Sequence, residues 1–257
     1  MSHADEHAHD EASEHEHEHD DEPGYVAGVS PVAEAPGAAR LAFLRKTYLH
    51  LAGAILVFTA LEALLMQIPE VEDVALTMTN GYNWLAVLGA FMAVSWVADY
   101  MARRSTSLWV QYLGLVLYVC AEAVIFIPLI YVAANYGGDD VIPTAAVATV
   151  AVFVGLSAIV LVSKKDFSYL RAGLTIASMV ALGVIVAGVL FGFELGVLFS
   201  VAMIGLAAAY ILYYTSNVLH HYRTTQYVAA ALALFSAVAL LFWYILRLLL
   251  EIFGNRR

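Results

Sequence analysis

Seven long apolar stretches, separated by short polar breaks, dominate this chain from residue 47 onward. The hydrocarbon core of a bilayer is about 30 Å thick, so a helix needs about 20 apolar residues to cross it. The chain is also 62% hydrophobic and only 13% charged. The sequence therefore predicts an all-α, polytopic membrane bundle of about seven transmembrane helices. The predicted spans are 47–68, 82–102, 108–134, 142–163, 170–193, 195–217 and 227–250.

The fifth and sixth spans are separated by a single charged residue. Between Arg171 and His220 the only formal charge is Glu194. A continuous helix over that stretch would reach about 70 Å, about twice what a bilayer needs. We therefore predict a helical hairpin at Gly192-Phe193-Glu194. The small residues expected to allow close helix packing are Gly188, Gly192, Gly205 and Ala209.

The amino-terminal region has a different composition. The first 22 residues carry ten acids and no Lys or Arg, which accounts for the net charge of −10. We predict that residues 1–40 are a disordered His/Asp/Glu-rich tail and linker, and that residues 41–257 form the transmembrane domain. The tail either binds Zn, Ni or Cu loosely or is a solvated acidic segment with incidental histidines. The candidate ligands are His3, His7, His9, His15, His17 and His19, and no other cofactor is expected.

The polar breaks alternate in sign along the chain. Basic residues precede the first span and follow the second, fourth and sixth, whereas acidic residues follow the first, third and fifth. The positive-inside rule then places the N-terminus in the cytoplasm, and we expect a bacterial plasma membrane. Seven spans would put Arg256 and Arg257 outside. Either this end is a tolerated exception, or the last segment does not fully cross.

Four motifs occur in an order that matches a known family. They are Phe43–Tyr48, Lys164–Leu170, Tyr210–Asn217 and Leu241–Arg247. In these motifs the chain resembles the Bax inhibitor-1 family (transmembrane Bax inhibitor motif proteins), over about residues 41–250. The resemblance implies a seven-helix bundle with the last helix near its centre. It also implies a pH-sensitive calcium leak, as in some members, or a role in stress and cell death, as in others.

This sequence departs from the family at two positions. Calcium-leak members carry two aspartates that face each other across the last two helices, and the matching residues here are Tyr214 and Ala237. Two close carboxylates share a proton and can hold a cation, whereas tyrosine and alanine do neither. The resemblance therefore supports the fold but does not transfer the pH-gated calcium leak to these two positions.

Charged residues inside the predicted spans are functional candidates, because burying a charge in a bilayer is costly. Glu122 lies in the middle of the third span. It is either a cation or proton site, with Arg247 or Glu62 as its partner, or a structural acid in an ion pair or hydrogen bond. Glu62 and Arg247 both lie toward the outer face, so we predict that they pair. The resemblance also implies a structural or gating ion pair at Arg247.

Polar residues nearer the interfaces have simpler interpretations. Asp99 precedes Arg103 by four residues, the favourable order for a helical ion pair, so we expect a structural role rather than gating. His50 is expected to be an interfacial polar residue. His220 and His221 fall in a predicted loop, where pH sensing is the alternative to simple solvation.

Three hypotheses for function follow. No metalloprotease, aspartyl-dyad, phosphate-loop or cofactor motif is present, so we expect no enzymatic activity. The first hypothesis is a calcium or proton leak that depends on Glu122, Glu62 and Arg247. The second is a non-conducting protein that regulates membrane-protein partners. Metal handling by the tail, the third, predicts that removing residues 1–22 abolishes metal sensitivity without affecting folding. Expected partners are the lipid bilayer, cations and membrane proteins, and not nucleic acid.

Overall fold

The computed structural model describes residues 26, 28, 30–105 and 107–253. In this part of the chain there is no β-strand, and seven helices are long and apolar enough to cross a membrane. The prediction of a seven-span all-α bundle is confirmed. The helices are α1 (Gly37–Leu65), the short α2 (Val71–Thr79), α3 (Asn83–Arg104), α4 (Leu108–Tyr136), α5 (Val141–Ser163), α6 (Leu170–Phe191), α7 (Val197–His220) and α8 (Tyr227–Phe253).

The predicted hairpin between the fifth and sixth spans is confirmed. Helix α6 ends at Phe191, and α7 begins at Val197. Gly192 ends α6 with a φ of +71°, and its N–H donates to the carbonyl of Gly188 at 2.9 Å. A side chain is disfavoured in this left-handed conformation, which explains the glycine at the end of the helix.

Helix α8 lies at the centre of the bundle, as the resemblance implies. It packs against α1, α4, α5 and α7, and every residue from 228 to 235 is buried. A helix that is apolar on all sides is stable only when it is covered on all sides, either by lipid or by other helices. Four alanines in this stretch, at 229–231 and 233, leave room for the neighbouring helices to approach.

The bundle has two polar ends of opposite charge. The basic end carries Lys46, Arg103, Lys164 and Arg171, and the acidic end carries Glu72, Asp140, Glu194 and Glu251. Helix α8 has 27 residues, which is about 40 Å and enough to cross the bilayer completely. This length favours a tolerated exception to the charge rule over an incomplete crossing of the last segment. Arg256 and Arg257 lie outside the described residues.

The segment before α1 differs from the predicted linker. Val32 begins a short 3-10 helix, is fully buried, and donates its N–H to the carbonyl of Tyr222 at 2.7 Å. Pro31 pairs with Arg223 in an isolated antiparallel bridge. The segment thus provides hydrogen-bond partners for backbone groups of the turn between α7 and α8. This pairing joins residues that are far apart in sequence, so amino-acid composition does not reveal it. Residues 1–25 of the predicted tail lie outside the described part of the chain.

The acidic break after the first span contains α2, a helix that is not among the predicted spans. Glu72 and Asp73 lie in its first turn, where negative charge favours a helix. Ala75 and Met78 are buried together with Ile127 of α4. Helix α2 has only nine residues, which is too few to cross a bilayer, so the pattern of apolar spans does not reveal it.

The predicted positions of close helix approach are wrong. A Cβ added at Gly205 or Gly192 would meet nothing within 4 Å, and the atoms nearest to one at Gly188 belong to Phe193 and Leu195 of its own hairpin. A tight approach lies instead at Gly114 of α4, whose added Cβ would fall 2.6 Å from a backbone oxygen of α3. Small residues make a smooth helix face, but the arrangement of the whole bundle decides which faces meet.

Candidate functional site

A cavity of about 430 Å³ lies between α3, α4, α6, α7 and α8. This volume is within the range of small-molecule sites. Its wall is mostly aromatic and aliphatic, with a small set of polar groups. The polar and charged lining residues are Tyr118, Glu122, Ser178, Tyr210, Tyr214, Ser236, Tyr244 and Arg247.

Glu122 supplies the acid of this cavity. It lies in the middle of α4, and only 6% of the residue is exposed. Tyr118 and Phe126, one helical turn before and after it, also line the cavity, so this face of α4 points inward. The Tyr118 side chain interacts with the Glu122 carboxyl group, but no basic residue of the described chain forms an ion pair with it. The cavity therefore holds one acid without a counter-charge.

Both positions at which the family carries aspartates line the same cavity. Tyr214 reaches it from α7 and Ala237 from α8. The Tyr214 ring stacks on Tyr210, with ring centroids 5.5 Å apart. The fold thus brings Glu122 into the space that the resemblance assigns to the missing pair. The three residues are at least 23 positions apart in sequence, so only the tertiary structure shows this.

Glu62 is a second buried acid, outside the cavity wall. It continues the buried stripe of α1 one turn after Phe58, whose ring packs edge-on against Phe126 with centroids 5.0 Å apart. Glu62 is 6% exposed, and neither carboxyl oxygen has a hydrogen-bond partner within the described residues. It lies close enough to Glu122 for the two carboxyl groups to interact electrostatically. A proton or a cation bound at this pair would offset the cost of burying like charges.

Arg247 does not pair with Glu62, and that prediction is wrong. Its Nε donates to Glu251 Oε1 at 2.9 Å, and its guanidinium also donates to the carbonyl of Leu195. Ser200 of α7 donates to the same Glu251 carboxylate at 3.1 Å. An acid one turn away on the same helix is reached more readily than one across the bundle. The predicted last span ended at residue 250 and so excluded this partner, although the four-residue spacing could have revealed it.

The Asp99–Arg103 ion pair is confirmed, at 2.5 Å between Oδ1 and Nε. Arg103 also donates to the Tyr222 hydroxyl at 3.1 Å and lies over its ring. Asp99 is not among the residues that line the cavity. Because both charged side chains are partly exposed, the pair stabilises the basic end only modestly.

The histidines of the basic end differ in their surroundings. His50 has both ring nitrogens bonded, to the carbonyl of Lys46 and to the Tyr112 hydroxyl, each at 2.7 Å. His220 is the last residue of α7, and its Nε2 is buried without a partner in the described structure, so a solvated loop is wrong for this residue. His221 pairs with Asp166 at 3.1 Å.

Asp166 organises the turn between α5 and α6. Its carboxylate accepts hydrogen bonds from the Ser168 N–H at 2.8 Å and from His221, while Ser216 of α7 accepts the Phe167 N–H at 2.8 Å. Partial burial opposes ionisation, but the Ser168 and His221 contacts outweigh it and lower the pKa of the Asp166 carboxyl group. The ionised form therefore holds this turn against α7.

We expect the α5–α6 turn to loosen at low pH. Because the pKa of Asp166 is lowered in the fold, its contribution is present above the ordinary pKa of aspartate and is lost as pH falls through the folded value. Hydrogen exchange at the Ser168 amide should therefore rise at acidic pH, and in Asp166→Asn it should be fast at neutral pH as well. The exposed Asp139→Asn is the control, and equal exchange in the two variants would contradict the assignment.

Among the described residues, no group of three or more His, Cys, Asp or Glu side chains could hold a metal ion. The six candidate histidines of the tail lie outside those residues, so metal binding there stays a prediction.

Most of the cavity wall is not predicted from the sequence. Trp84 and Trp243 stack with centroids 6.1 Å apart, and Phe91 packs edge-on against Tyr118. The four-residue spacing of Tyr118, Glu122 and Phe126 marks the inward face of α4. No comparable signal identifies the partners contributed by α3 and α6, because those helices are apolar on most faces.

Comparison with known proteins gives one family match. The family model described as "Inhibitor of apoptosis-promoting Bax1" matches residues 40–255. This match covers every transmembrane helix except the first three residues of α1.

Individual relatives are more distant. An uncharacterized protein of Pseudomonas aeruginosa is 35% identical over 120 residues, which cover 46% of this chain and 51% of that protein. An uncharacterized protein of Pasteurella multocida is 35% identical over 112 residues, 42% of this chain and 49% of that protein. The chain thus matches about half the length of these two curated relatives. Protein lifeguard 4 of Mus musculus is 29% identical over 226 residues, 86% of this chain and 89% of that protein.

Proposed function

This chain belongs to the Bax inhibitor-1 family, and we propose that it is a multi-pass membrane protein that leaks protons or small cations through a site at Glu122. The observation that carries this proposal is the position of Glu122. It lines the same cavity as Tyr214 and Ala237, the two positions at which the family's aspartates would lie. In this chain the carboxylate of the cavity lies on α4, whereas the family's two aspartates would lie on α7 and α8.

Protons fit this cavity better than calcium. Calcium takes six to eight oxygen ligands, usually with several carboxylates among them. Glu122 is the single carboxylate among the lining residues, and the rest of the wall is mostly apolar. One carboxyl group flanked by tyrosine and serine hydroxyls can instead accept and release a proton. Glu62, within electrostatic reach, is the second acid on the route.

The opposite charges of the two polar ends support one orientation of the bundle in the membrane. We place the basic end and the N-terminus in the cytoplasm, following the positive-inside rule. Two of the matched relatives are bacterial proteins, and we propose that this chain lies in a bacterial plasma membrane. We propose neither enzymatic activity nor binding to nucleic acid.

The proposal is tested by replacing Glu122 with glutamine, which keeps the size of the side chain but cannot carry a proton. In proteoliposomes with an internal pH dye, we expect the wild type to leak protons under a pH gradient. Glu122→Gln should leak at least about tenfold more slowly, equivalent to about 1.4 kcal/mol in the barrier. A parallel calcium dye should show little flux in either protein.

The matched control is Glu70→Gln, an exposed acid in the turn before α2. It should leak like the wild type. Equal rates for Glu122→Gln and the wild type would remove Glu122 from the path. A silent wild type would favour the alternative function, a non-conducting bundle that regulates membrane-protein partners.

A further inference from the structure

The cavity around Glu122 has features that proton leakage does not need. Eight of its lining residues are aromatic: Trp84, Phe91, Tyr118, Phe126, Tyr210, Tyr214, Trp243 and Tyr244. Several pack in pairs, and Phe126 meets Trp243 edge-on with centroids 4.9 Å apart. The faces of aromatic rings attract cations, most strongly where water is excluded. The wall therefore favours a positively charged guest with apolar groups.

The charged groups of the cavity also favour a positively charged guest. Glu122 is buried in the wall and has no ion-pair partner among the described residues. Arg247 is the only basic residue in the lining, and its guanidinium is bound to Glu251 and to the carbonyl of Leu195. The cavity can therefore compensate one positive charge but has no free group for a negative one.

Helices α3 and α6 form the most loosely packed part of the cavity wall. These two helices are the least buried of the seven spans, and they make little contact with each other. Both contribute lining residues, and the lining residue Met92 of α3 is 46% exposed. Leu182 and Ile185 line the cavity from α6. An apolar opening at membrane depth admits molecules dissolved in lipid, whereas a hydrated metal ion would have to shed its water there.

We propose that this cavity is a binding site for a lipophilic organic cation, which enters from the bilayer between α3 and α6 and places its charge beside Glu122. The aromatic wall contacts the apolar groups of the guest, and the carboxylate neutralises its charge. The site shares Glu122 with the proposed leak, but binding does not require that ions cross the membrane.

The experiment uses two probes of the same shape and opposite charge, tetraphenylphosphonium and tetraphenylborate. The full chain is purified in detergent, and binding is measured by equilibrium dialysis against empty micelles. Trp84 and Trp243 in the cavity wall give a second readout, quenching of tryptophan fluorescence. We expect saturable binding of the phosphonium, and no saturable binding of the borate.

Two variants and one control locate the site. Glu122→Gln should weaken phosphonium binding at least about tenfold, while Glu70→Gln should bind like the wild type. Ile185→Trp, which places a larger side chain in the opening, should also lose binding, so the proposal can be tested even if Glu122→Gln does not fold. Unchanged binding in both cavity variants, or equal binding of the two probes, would overturn the proposal.

The outcomes separate this proposal from the leak. Phosphonium binding in a protein that passes no protons would overturn the leak alone. Proton flux that depends on Glu122, in a protein that does not bind the phosphonium, would overturn the organic-cation site alone.

Discussion

Gly114→Ala is expected to destabilise the bundle by about 3 kcal/mol, because a side chain there has no space to occupy. Its Cβ would lie 2.6 Å from the carbonyl oxygen of Ala98, 3.1 Å from the Ala102 nitrogen and 3.1 Å from the Met101 Cβ. The first two are backbone atoms of α3, so no side-chain rotation relieves the overlap. Helices α3 and α4 would have to separate along a closely packed interface. The measurement is unfolding in mixed micelles, with the folded fraction followed by circular dichroism.

The control for this prediction is Gly89→Ala. Gly89 lies on α3, one of the same two helices, and an added Cβ would meet nothing within 4 Å. Because alanine favours a helix over glycine by about 0.5–1 kcal/mol, this variant should be neutral or slightly more stable. If both variants unfold at the same denaturant concentration, α3 and α4 do not approach as closely as described.

Restoring the carboxylate pair, with Tyr214→Asp and Ala237→Asp together, is expected to convert the cavity into a calcium path. Both positions line the cavity that holds Glu122, so the double variant places three acids around one space. Several carboxylates are the usual ligands of calcium, and one alone does not suffice. Calcium flux into proteoliposomes should rise at least about tenfold over the wild type, equivalent to about 1.4 kcal/mol in the barrier.

The matched control for the pair is Tyr214→Asn with Ala237→Asn, which has the same side-chain size without the charge. It should leave calcium flux at the wild-type level, and each single aspartate variant should give a smaller rise than the pair. If the asparagine variant conducts as well as the aspartate variant, the increase comes from a widened cavity and not from carboxylate ligands. No rise with the correctly folded aspartate pair would show that these positions do not face a common ion path.

Much of the architecture follows from the sequence alone. The seven spans follow from hydropathy, because the length needed to cross a bilayer is a property of each segment by itself. The hairpin at Gly192 follows from the same comparison of length, because a continuous helix there would be about twice as long as a bilayer needs. Asp99 and Arg103 pair as expected because residues four apart on a helix are neighbours in any tertiary arrangement. The sequence predicts that Glu122 is a buried acid because it lies far from both ends of its span.

Features that depend on which helix faces meet were not accessible in this way. The partner of Arg247 is Glu251 and not the predicted Glu62, and the close packing lies at Gly114 and not at the predicted Gly205. Val32, in the predicted linker, is buried. In a soluble helix, polar residues mark the outer face and so reveal the inner one. Lipid is as apolar as a protein core, so most of these helices are apolar on every face and carry no such mark.

The number of spans, the turns between them, the sign of charge at each end and the presence of a deep acid can all be predicted from the amino-acid sequence. The packing of the helices is what brings this acid into one cavity with Tyr214 and Ala237 and surrounds it with eight aromatic residues. Burial in lipid and neighbours within one helix are local properties, whereas a cavity among five helices exists only once all of them have packed.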